Sequence, residues 1–364
     1  MKLGIVGLPN IGKTTIFNAL TSAGVDIVNS PFSTRNPNIG VVNVPDKRLD
    51  ELEKMYKPKK KTFAKIEFYD IAGLAKGASK GEGLGNKFLS SIREAQAIIH
   101  VVRCFDDDNV IHLEGSVDPT RDVENLNLEL IFSDLEILER RMERTLKLVH
   151  SGDKNAKTER DLQVTIKSHL ESGKPIRNLE VTDEEKKIVD SYSLITSKPI
   201  IYVANISEEA LIEGEEDDYV KALKEYAEEE QSQVVVISGK IEEEISQLSM
   251  DEKMEILSEY GLSEPGLNKL ITASYDLLGL ISFLTSGKDE VRAWTITKGT
   301  KAQQAAGKIH SDIERGFIRA EVIPYDKLME VKSESIAKEK GYYRLEGKEY
   351  VVQDGDIIHF RFNV

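Results

Sequence analysis

The chain has 364 residues, 40% hydrophobic and 31% charged, a composition typical of a soluble globular protein with about two or three domains. Its single cysteine, Cys104, excludes an intrachain disulfide and favours a reducing compartment. No apolar run approaches the roughly 20 residues of a membrane span, so we expect a cytoplasmic protein with no membrane partner. The net charge of −14 argues against a general nucleic-acid coat protein, and no DNA partner is expected.

The first predicted elements are a short buried strand, Leu3 to Val6, then a glycine-rich loop and a helix. The loop, Gly7-Leu-Pro-Asn-Ile-Gly-Lys-Thr14, has the spacing G-x-x-x-x-G-K-[ST]. Its glycines permit a tight turn whose N–H groups surround a phosphate, and the following helix N-terminus adds a positive dipole. Lys13 is expected to stabilise the terminal phosphates and Thr14 to ligate Mg²⁺. The predicted nucleotide contacts of this loop are Asn10, Ile11, Gly12, Lys13, Thr14 and Thr15.

A second predicted strand, Lys65 to Tyr69, ends in Asp70-Ile-Ala-Gly73. We expect Asp70 to hold a magnesium-bound water and the N–H of Gly73 to act in catalysis at the γ-phosphate. Between the two motifs, Thr34 is the candidate first-switch residue that reaches the metal. The stretch from residue 73 to residue 85 holds five glycines and is interpreted as a mobile switch that closes on the γ-phosphate.

The position directly after Asp-x-x-Gly is occupied by Leu74, where switch-type GTPases often place a water-orienting glutamine. A leucine cannot orient water, so the hydrolytic group must come from elsewhere. His112, which follows the predicted strand Ala97 to Val102, is the candidate. The alternative is a solvated or structurally bonded histidine, and spacing alone favours that alternative.

The middle of the chain predicts helices. Apolar residues recur at alternating steps of three and four, the seam of a coiled-coil helix: Leu128, Ile131, Leu135, Leu138, Met142, Thr145 and Val149. Ser151-Gly-Asp-Lys interrupts the seam, a returning helix follows, and the Thr182 to Glu185 capping box opens another. Residues 124–196 are therefore expected to form an antiparallel helical arm that can dock a large partner.

The next strand, Ile200 to Ala204, ends in Asn205-Ile-Ser-Glu208. In GTPases of this architecture the fourth motif reads Asn-Lys-x-Asp, and its Asp accepts two hydrogen bonds from guanine. Glu208 is one methylene longer, so its carboxylate overshoots that position, and the penalty against adenine disappears. ATP is therefore predicted to bind more tightly than GTP. The candidate base contacts are Asn205, Ile206, Glu208, Ser238 and Gly239.

The tail, from about residue 279, predicts a small mixed fold. It includes a strand at Trp294 to Thr297, a helix that reaches Arg315, and a closing hairpin of residues 350–352 with 357–362. A strand, a helix and further strands in roughly 85 residues suit a β-grasp domain. No catalytic cluster occurs there, so a binding module is predicted. Together with the lysine run Lys57 to Lys61, it is the expected RNA-binding surface, although such runs are more often simply solvated.

Jointly, Gly7 to Thr14, Pro31 to Thr34, Asp70 to Ser79, residues 81–86 and Asn205 to Glu208 resemble the YchF branch of the Obg-related P-loop NTPases over essentially the whole chain. The resemblance implies an α/β P-loop NTPase core with a mostly parallel sheet, an inserted antiparallel coiled-coil arm and a C-terminal TGS-like β-grasp domain. The expected bounds are 1–123 and 197–278 for the two parts of the NTPase domain, 124–196 for the arm and 279–364 for the TGS-like domain.

The resemblance further implies that His112 matches a family histidine proposed to act in hydrolysis, and it also points to ATP. One departure concerns the first switch, where Arg35-Asn36 stands in place of the expected Ile-Glu.

We therefore predict a slow, Mg²⁺-dependent nucleoside-triphosphate hydrolase that prefers ATP over GTP and acts as a nucleotide-controlled switch on the ribosome or ribosomal RNA. Asn10 is also a candidate for holding K⁺ against the phosphates, as in some switch NTPases that lack the glutamine. Two alternatives stay open. The chain can be a nucleotide-dependent RNA- or ribosome-binding module in which hydrolysis is incidental, or a GTP-specific GTPase.

Overall fold

A computed structural model describes residues 1–22, 38–71, 84–112, 114–213 and 217–363. Its strands are β1 Lys2–Val6, β2 Asn38–Asn43, β3 Lys60–Thr62, β4 Lys65–Asp70, β5 Ala97–Arg103, β6 Ile200–Asn205, β7 Gln233–Ile237, β8 Leu280–Thr285, β9 Glu290–Thr297, β10 Phe317–Pro324, β11 Arg344–Glu346 and β12 Asp356–Phe362. Its α-helices are α1 Lys13–Ser22, α2 Lys47–Tyr56, α3 Leu84–Glu94, α4 Pro119–His150, α5 Lys154–Glu171, α6 Asp183–Tyr192, α7 Glu208–Glu213, α8 Asp218–Glu229, α9 Gly239–Ser246, α10 Met250–Glu259, α11 Gly266–Leu277, α12 Ala302–Ile309, α13 Ser311–Arg315, α14 Tyr325–Val331 and α15 Glu334–Glu339. None of the described helices combines the length with the hydropathy that a bilayer crossing demands.

The chain folds as two compact units, and both are discontinuous in sequence. The first comprises residues 1–42 and 67–270, and the second comprises residues 43–66 and 271–364. Residues 43–66 thus belong with the C-terminal part of the chain, whereas the sequence analysis placed them in the NTPase core. The four-segment division given there otherwise stays a prediction.

The first unit is built on a six-stranded sheet with the order β2-β4-β1-β5-β6-β7. Parallel pairing joins β1 to β4 and β5, β5 to β6, and β6 to β7. Every residue of β5 and β6 is buried, as expected for central strands of a parallel sheet that is covered on both faces. The chain leaves β1 toward β4 on one side and later returns to β5 on the other, so the carboxyl end of β1 is a topological switch point, where such sheets bind ligands. The predicted α/β fold class is confirmed.

The same unit carries a helical hairpin, in which α4 and α5 are joined by residues 151–153. Their buried seam includes Ile131, Leu138 and Met142 on α4, packed with Leu162 and Ile166 on α5. Antiparallel packing also brings Gln163 Nε2 within 2.9 Å of Thr145 Oγ1. The predicted helical arm is therefore present as an antiparallel pair. Leu128, which the periodicity placed in the seam, is instead 40% exposed.

The second unit contains another six-stranded sheet, with the order β11-β10-β12-β8-β9-β3. Helix α12 packs on this sheet through Ala302, Ala305 and Ala306, in one cluster with Phe283 and Phe360. The helix expected to reach Arg315 ends earlier, because His310 adopts an extended conformation and caps the separate helix α13. The expected closing hairpin is wrong as well: β12 pairs with β10 and β8, and Val351 bridges Lys301.

Residues 43–66 complete this second sheet. Strand β3 pairs in parallel with β9, and helix α2 buries Leu49 and Leu52 completely. The guanidinium of Arg48 donates to Asp354 at 2.7 Å, and the Asp354 carboxylate in turn accepts the N–H of Ser282 on β8 at 2.9 Å. A segment far away in the sequence therefore supplies both a strand and a covering helix to the C-terminal unit.

The predicted RNA-facing lysine run lies in this segment, and three of its four lysines are paired with carboxylates among the described residues. Lys59 Nζ lies 2.8 Å from Asp289, and Lys60 Nζ lies 3.8 Å from Glu290. Lys61 Nζ contacts two carboxylates of α2, at 2.8 and 2.6 Å. These ion pairs give the lysine run a structural role within the second unit.

Candidate active site

The glycine-rich loop connects β1 to α1 at the switch point of the first sheet. Asn10 and Gly12 have φ angles of 61° and 86°, in the left-handed region that asparagine and glycine tolerate best. A side chain at position 12 would collide with the amide of Asn205, so the position requires glycine for space as well as for conformation. The Ile16 N–H donates to the Gly12 carbonyl at 3.0 Å as the first intrahelical bond of α1. The N–H groups before it have no acceptor within the helix, and such groups can bind an anion.

Lys13 and Asp70, predicted from two separate motifs, form an ion pair between Lys13 Nζ and Asp70 Oδ1. Their side chains are only 9% and 12% exposed. Parallel pairing sets Asp70 at the end of β4 directly beside Ile5 of β1, which explains why the two motifs meet. A triphosphate that binds here must replace the Asp70 carboxylate as the ion-pair partner of Lys13. Thr14 is exposed beside them, while Gly73 and Thr34 lie outside the described residues.

Asn205 is a buried clamp at the carboxyl end of β6. Its Nδ2 donates to the Ile11 carbonyl of the phosphate loop at 2.8 Å, and its Oδ1 accepts the Gly239 N–H at 2.9 Å. The side chain therefore joins three chain segments while it is only 4% exposed. Sequence reasoning treated it as a base contact, but the hydrogen bonds present here hold the protein's own backbone.

The other predicted base-reading residues lie near Asn205 in different environments. The Ile206 side chain packs in the hydrophobic core and is 2% exposed, so it offers a base little surface. Glu208, at the start of α7, forms an ion pair with Lys240 of α9. Their side chains are 27% and 78% exposed, respectively. This partner of Glu208 was missed, although Lys240 directly follows Ser238 and Gly239, the predicted fifth motif.

Ser238 supports a ligand site at this end of the first unit. It precedes α9 and is 2% exposed, and within the described part of the chain its Oγ has no hydrogen-bond partner. Buried hydroxyl groups are normally paired, so an unpaired one is consistent with a ligand that supplies the missing partner. Thr14 and Asp70 supply the hard oxygen ligands that Mg²⁺ prefers. The residues present thus fit a magnesium nucleotide.

His112 is engaged through both ring nitrogens. Its Nδ1 accepts the Glu114 N–H at 3.2 Å, so Nε2 carries the proton and faces Asp122 Oδ2 at 2.8 Å. The His112 side chain is 8% exposed. The adjacent residue, Ile111, connects this segment to the phosphate loop, because its carbonyl accepts Asn10 Nδ2 at 3.3 Å. In this conformation neither ring nitrogen of His112 is free to act on water.

Arg103, which the sequence analysis did not single out, organises the segment that carries His112. Its guanidinium donates to the carbonyls of Phe105, Asp107 and Val110 at 2.9 to 3.2 Å, and the residue is 2% exposed. The available signal was an arginine at the end of a mostly apolar predicted strand, because a buried guanidinium needs several acceptors.

Glu242 anchors the first turn of α9, next to Ser238 and Lys240. Its carboxylate accepts the Gly266 N–H at 2.5 Å. Burial raises the pKa of Glu242 to about 7, against backbone hydrogen bonds from Gly266 and Leu267 that lower it. We call the part of the site formed by Asn205, Glu208 and Ser238 the base-reading end. The neighbouring carboxyl group of Glu242 thus has a pKa near neutral pH.

Two family models match the chain. Residues 2–138 match the family described as 50S ribosome-binding GTPase. Residues 280–363 match the YchF GTPase C-terminal family, described as a protein of unknown function.

Curated relatives match over the full length. A protein of Bacillus subtilis, named ribosome-binding ATPase YchF, is 54% identical over 361 residues, 99% of each chain. A protein of Pasteurella multocida with the same name is 49% identical and spans 100% of this chain and 99% of its own. Among solved structures, the YchF GTPase of Schizosaccharomyces pombe matches with a TM-score of 0.88 and 39% identity, covering 99% of this chain and 97% of that one.

Proposed function

The chain belongs to the YchF family, and on that premise we propose that it is a slow, Mg²⁺-dependent ATPase that acts as a nucleotide-controlled switch on the ribosome. Hydrolysis of ATP is supported by the way the site holds phosphates and by the groups it offers to the base. The ribosome is proposed as the partner because the full-length relatives are named ribosome-binding ATPase YchF. Such a partner would place the protein in the cytoplasm.

Hydrolysis is supported by the phosphate end of the site. There a left-handed turn, the N-terminus of α1 and the Lys13–Asp70 pair converge at the carboxyl ends of β1 and β4. When bound, Mg²⁺ would neutralise charge that develops on the phosphate oxygens. Thr14 and Asp70 would hold it, and Thr34 stays the predicted first-switch ligand. Catalysis of this kind requires positioning and charge stabilisation and no covalent intermediate.

Preference for ATP over GTP rests on the Glu208–Lys240 ion pair, the observation that carries the proposal. Guanine gains its advantage when a carboxylate accepts both its ring N–H and its amino group. Here that carboxylate is on the longer glutamate and already has Lys240 as a partner, so guanine would have to displace the ammonium group. Adenine presents an acceptor at its ring nitrogen and does not need the carboxylate. Ser238 Oγ and backbone groups near Gly239 remain for contacts with adenine.

Calorimetric titration of ATP and GTP into the wild-type chain, with Mg²⁺ present, tests the preference. ATP should bind more tightly, and omission of Mg²⁺ should weaken ATP binding and stop turnover. A clear preference for GTP would overturn the base argument and favour a GTP-specific enzyme, in line with the S. pombe relative, whose structure is described as that of a GTPase.

The cation requirement extends to K⁺. Asn10 is exposed in the loop and donates its amide nitrogen to Ile111, so its amide oxygen is the atom able to face a potassium ion beside the phosphates. Turnover should be faster in potassium than in sodium buffer at equal ionic strength. Identical turnover rates in the two buffers would exclude a role for K⁺ in hydrolysis.

One observation favours a second candidate function, a nucleotide-dependent ribosome-binding module in which hydrolysis is incidental. Both nitrogens of His112 are occupied, and the sequence places Leu74 where a water-orienting glutamine is common. Sedimentation with purified ribosomes in ATP, ADP or a non-hydrolysable analogue, beside turnover measured with and without ribosomes, separates the two candidates. Ribosome binding with negligible turnover in both conditions would support the module.

A further inference from the structure

The turn of the helical hairpin carries an unneutralised basic surface. We define the hairpin tip as residues 144–157, which join the end of α4 to the start of α5. It holds four cations, Arg144, Lys147, Lys154 and Lys157, and one carboxylate, Asp153. Its net charge is +3, in a chain whose total is −14, so the rest of the chain carries −17.

The four cations are exposed, and none of them forms an ion pair with a carboxylate among the residues that the structure describes. The tip's own carboxylate is already used, because Asp153 caps α5 by accepting the N–H groups of Asn155 and Ala156 at 2.8 and 3.2 Å. The lysine run Lys59 to Lys61 differs in this respect, since carboxylates of the second unit neutralise it. Free positive charge is therefore found at the tip.

Helix stability does not explain where these cations lie. Lys154 and Lys157 are in the first turn of α5, which contains no acidic residue. The N-terminus of a helix is the positive end of its dipole, so cations there are unfavourable and carboxylates are preferred. Lys147, in the last turn of α4, is by contrast favourably placed. At least two of the four positions thus cost stability, which points to a use other than folding.

Apart from the buried residues Thr145 and Ala156, the tip is largely exposed in the part of the chain that the structure describes. The last described contacts of the pair with α6 involve Arg141, Glu159 and Gln163, which meet Ser191 or Tyr192. Beyond that level Leu146 and Leu148 are 40% and 51% exposed. A partner can therefore reach the cations and the adjacent apolar side chains together.

We propose that the hairpin tip is the surface through which this protein docks on ribosomal RNA, with Arg144, Lys147, Lys154 and Lys157 contacting backbone phosphates. The inference rests on the proposed function, in that the partner is the ribosome. Phosphates are the chemistry that fits, because four exposed cations on an otherwise acidic chain are attracted to a polyanion and gain affinity by releasing its counterions. RNA is preferred over a ribosomal protein because charge dominates the tip.

The test uses the full-length chain with all four tip cations changed to glutamine. A control variant carries four glutamines at other exposed cations, Lys186, Lys187, Lys298 and Lys348, so that the change in net charge is identical. A third variant exchanges Arg and Lys at the four tip positions and keeps the charge. Cosedimentation with purified 70S ribosomes is measured with a non-hydrolysable ATP analogue over a series of salt concentrations, beside thermal unfolding and ribosome-free turnover.

The tip-neutral variant should bind about 10-fold or more weakly near 100 mM salt, and the slope of log affinity against log salt should fall by about 3. The control and the charge-keeping variant should bind like wild type, and unfolding and basal turnover should not change. Equal binding by the tip-neutral and control variants would overturn the inference. A loss with an unchanged salt slope would also overturn it, in favour of a protein partner for Leu146 and Leu148. If wild type itself fails to cosediment in every nucleotide state, the proposed function fails first.

Discussion

The phosphate end and the base-reading end of the candidate site differ in their chemical groups and in how deeply these groups are buried. At the phosphate end, a continuous loop between β1 and α1 presents backbone N–H groups, and its one ion pair among the described residues, Lys13–Asp70, is about nine-tenths buried. At the base-reading end, the ion pair Glu208–Lys240 involves a lysine that is 78% exposed. Asn205 connects the two ends, because it binds Ile11 of one and Gly239 of the other.

The difference teaches which property of the site is easy to change. Backbone donors cannot be altered by exchange of a side chain, and removing one partner of a buried ion pair leaves an uncompensated charge. Exposed ion pairs contribute little and can be exchanged at low cost. We therefore expect phosphate binding to be all-or-none, and the choice of base to shift in small steps.

The largest expected effect is that of Lys13→Ala. Loss of charge-assisted hydrogen bonds to the phosphates should weaken ATP binding by about 100-fold or more. It should also lower the free energy of unfolding, because the Asp70 carboxylate stays buried without a partner. Calorimetry and urea denaturation measure the two effects. The double variant Lys13→Ala with Asp70→Asn should recover stability but not affinity; recovered affinity would show that the lysine does not bind phosphate.

His112→Ala tests whether the phosphate end also contains a general base or a water-orienting group. If the segment rearranges to free the imidazole, turnover should fall by about 100-fold while nucleotide affinity stays nearly constant, since only a transition-state interaction is lost. Single-turnover hydrolysis and calorimetry provide the two values. Turnover equal to that of wild type would assign His112 a structural role, as the partner of Asp122.

Asn205→Ala removes the connection between the two ends. Two buried hydrogen bonds are lost, which should cost about 2–3 kcal/mol of unfolding free energy. Because the clamp positions the phosphate loop and not a base, the affinities for ATP and GTP should fall by the same factor, about 10-fold. A fall confined to one nucleotide would instead show that Asn205 contacts the base directly.

Glu242 makes the base-reading end sensitive to pH. Because burial raises its folded pKa to about 7, above the ordinary value of 4.5, the folded chain binds a proton that the unfolded chain releases. Its contribution is complete below pH 4.5 and is lost as pH rises through 7, by about 3 kcal/mol. Urea denaturation at about pH 5 and about pH 8 should show this loss in wild type and in the exposed control Glu243→Gln, but not in Glu242→Gln. The same pH dependence in all three chains would exclude Glu242 as the cause.

The smallest expected effect is that of Lys240→Ala. Freed from its partner, the Glu208 carboxylate becomes available to guanine, so the ratio of ATP to GTP affinity should fall by about threefold. Competition between the two nucleotides, followed with a fluorescent analogue, resolves such a change, and Lys240→Arg should keep the wild-type ratio. An unchanged ratio of ATP to GTP affinity, or a higher one, would show that the Glu208–Lys240 ion pair does not determine the choice of base.

What the sequence predicts well is encoded locally. The phosphate loop is contiguous, and the pattern of residues 7–14 predicts the tight turn between a strand and a helix that the structure has. The roles of Asn205 and Lys240 depend on contacts that no local pattern contains: Asn205 binds a carbonyl 194 residues away. The periodicity of α4 likewise predicted a helix seam but not that Leu128 would be exposed. Nothing within residues 57–61 shows that Asp289 and Glu290 will pair with Lys59 and Lys60.

Because the second unit is discontinuous in sequence, it cannot fold completely until its C-terminal part has been synthesised. Lys59 and Asp289, whose side chains pair at 2.8 Å, are 230 residues apart. At about 5–20 residues per second, translation separates them by roughly 10–50 s. For all of that time Leu49 and Leu52 of α2 lack the sheet that buries them, and β3 lacks the strand it pairs with. The nascent chain therefore carries residues 43–66 without their packing partners until the C-terminal part of the second unit has been synthesised.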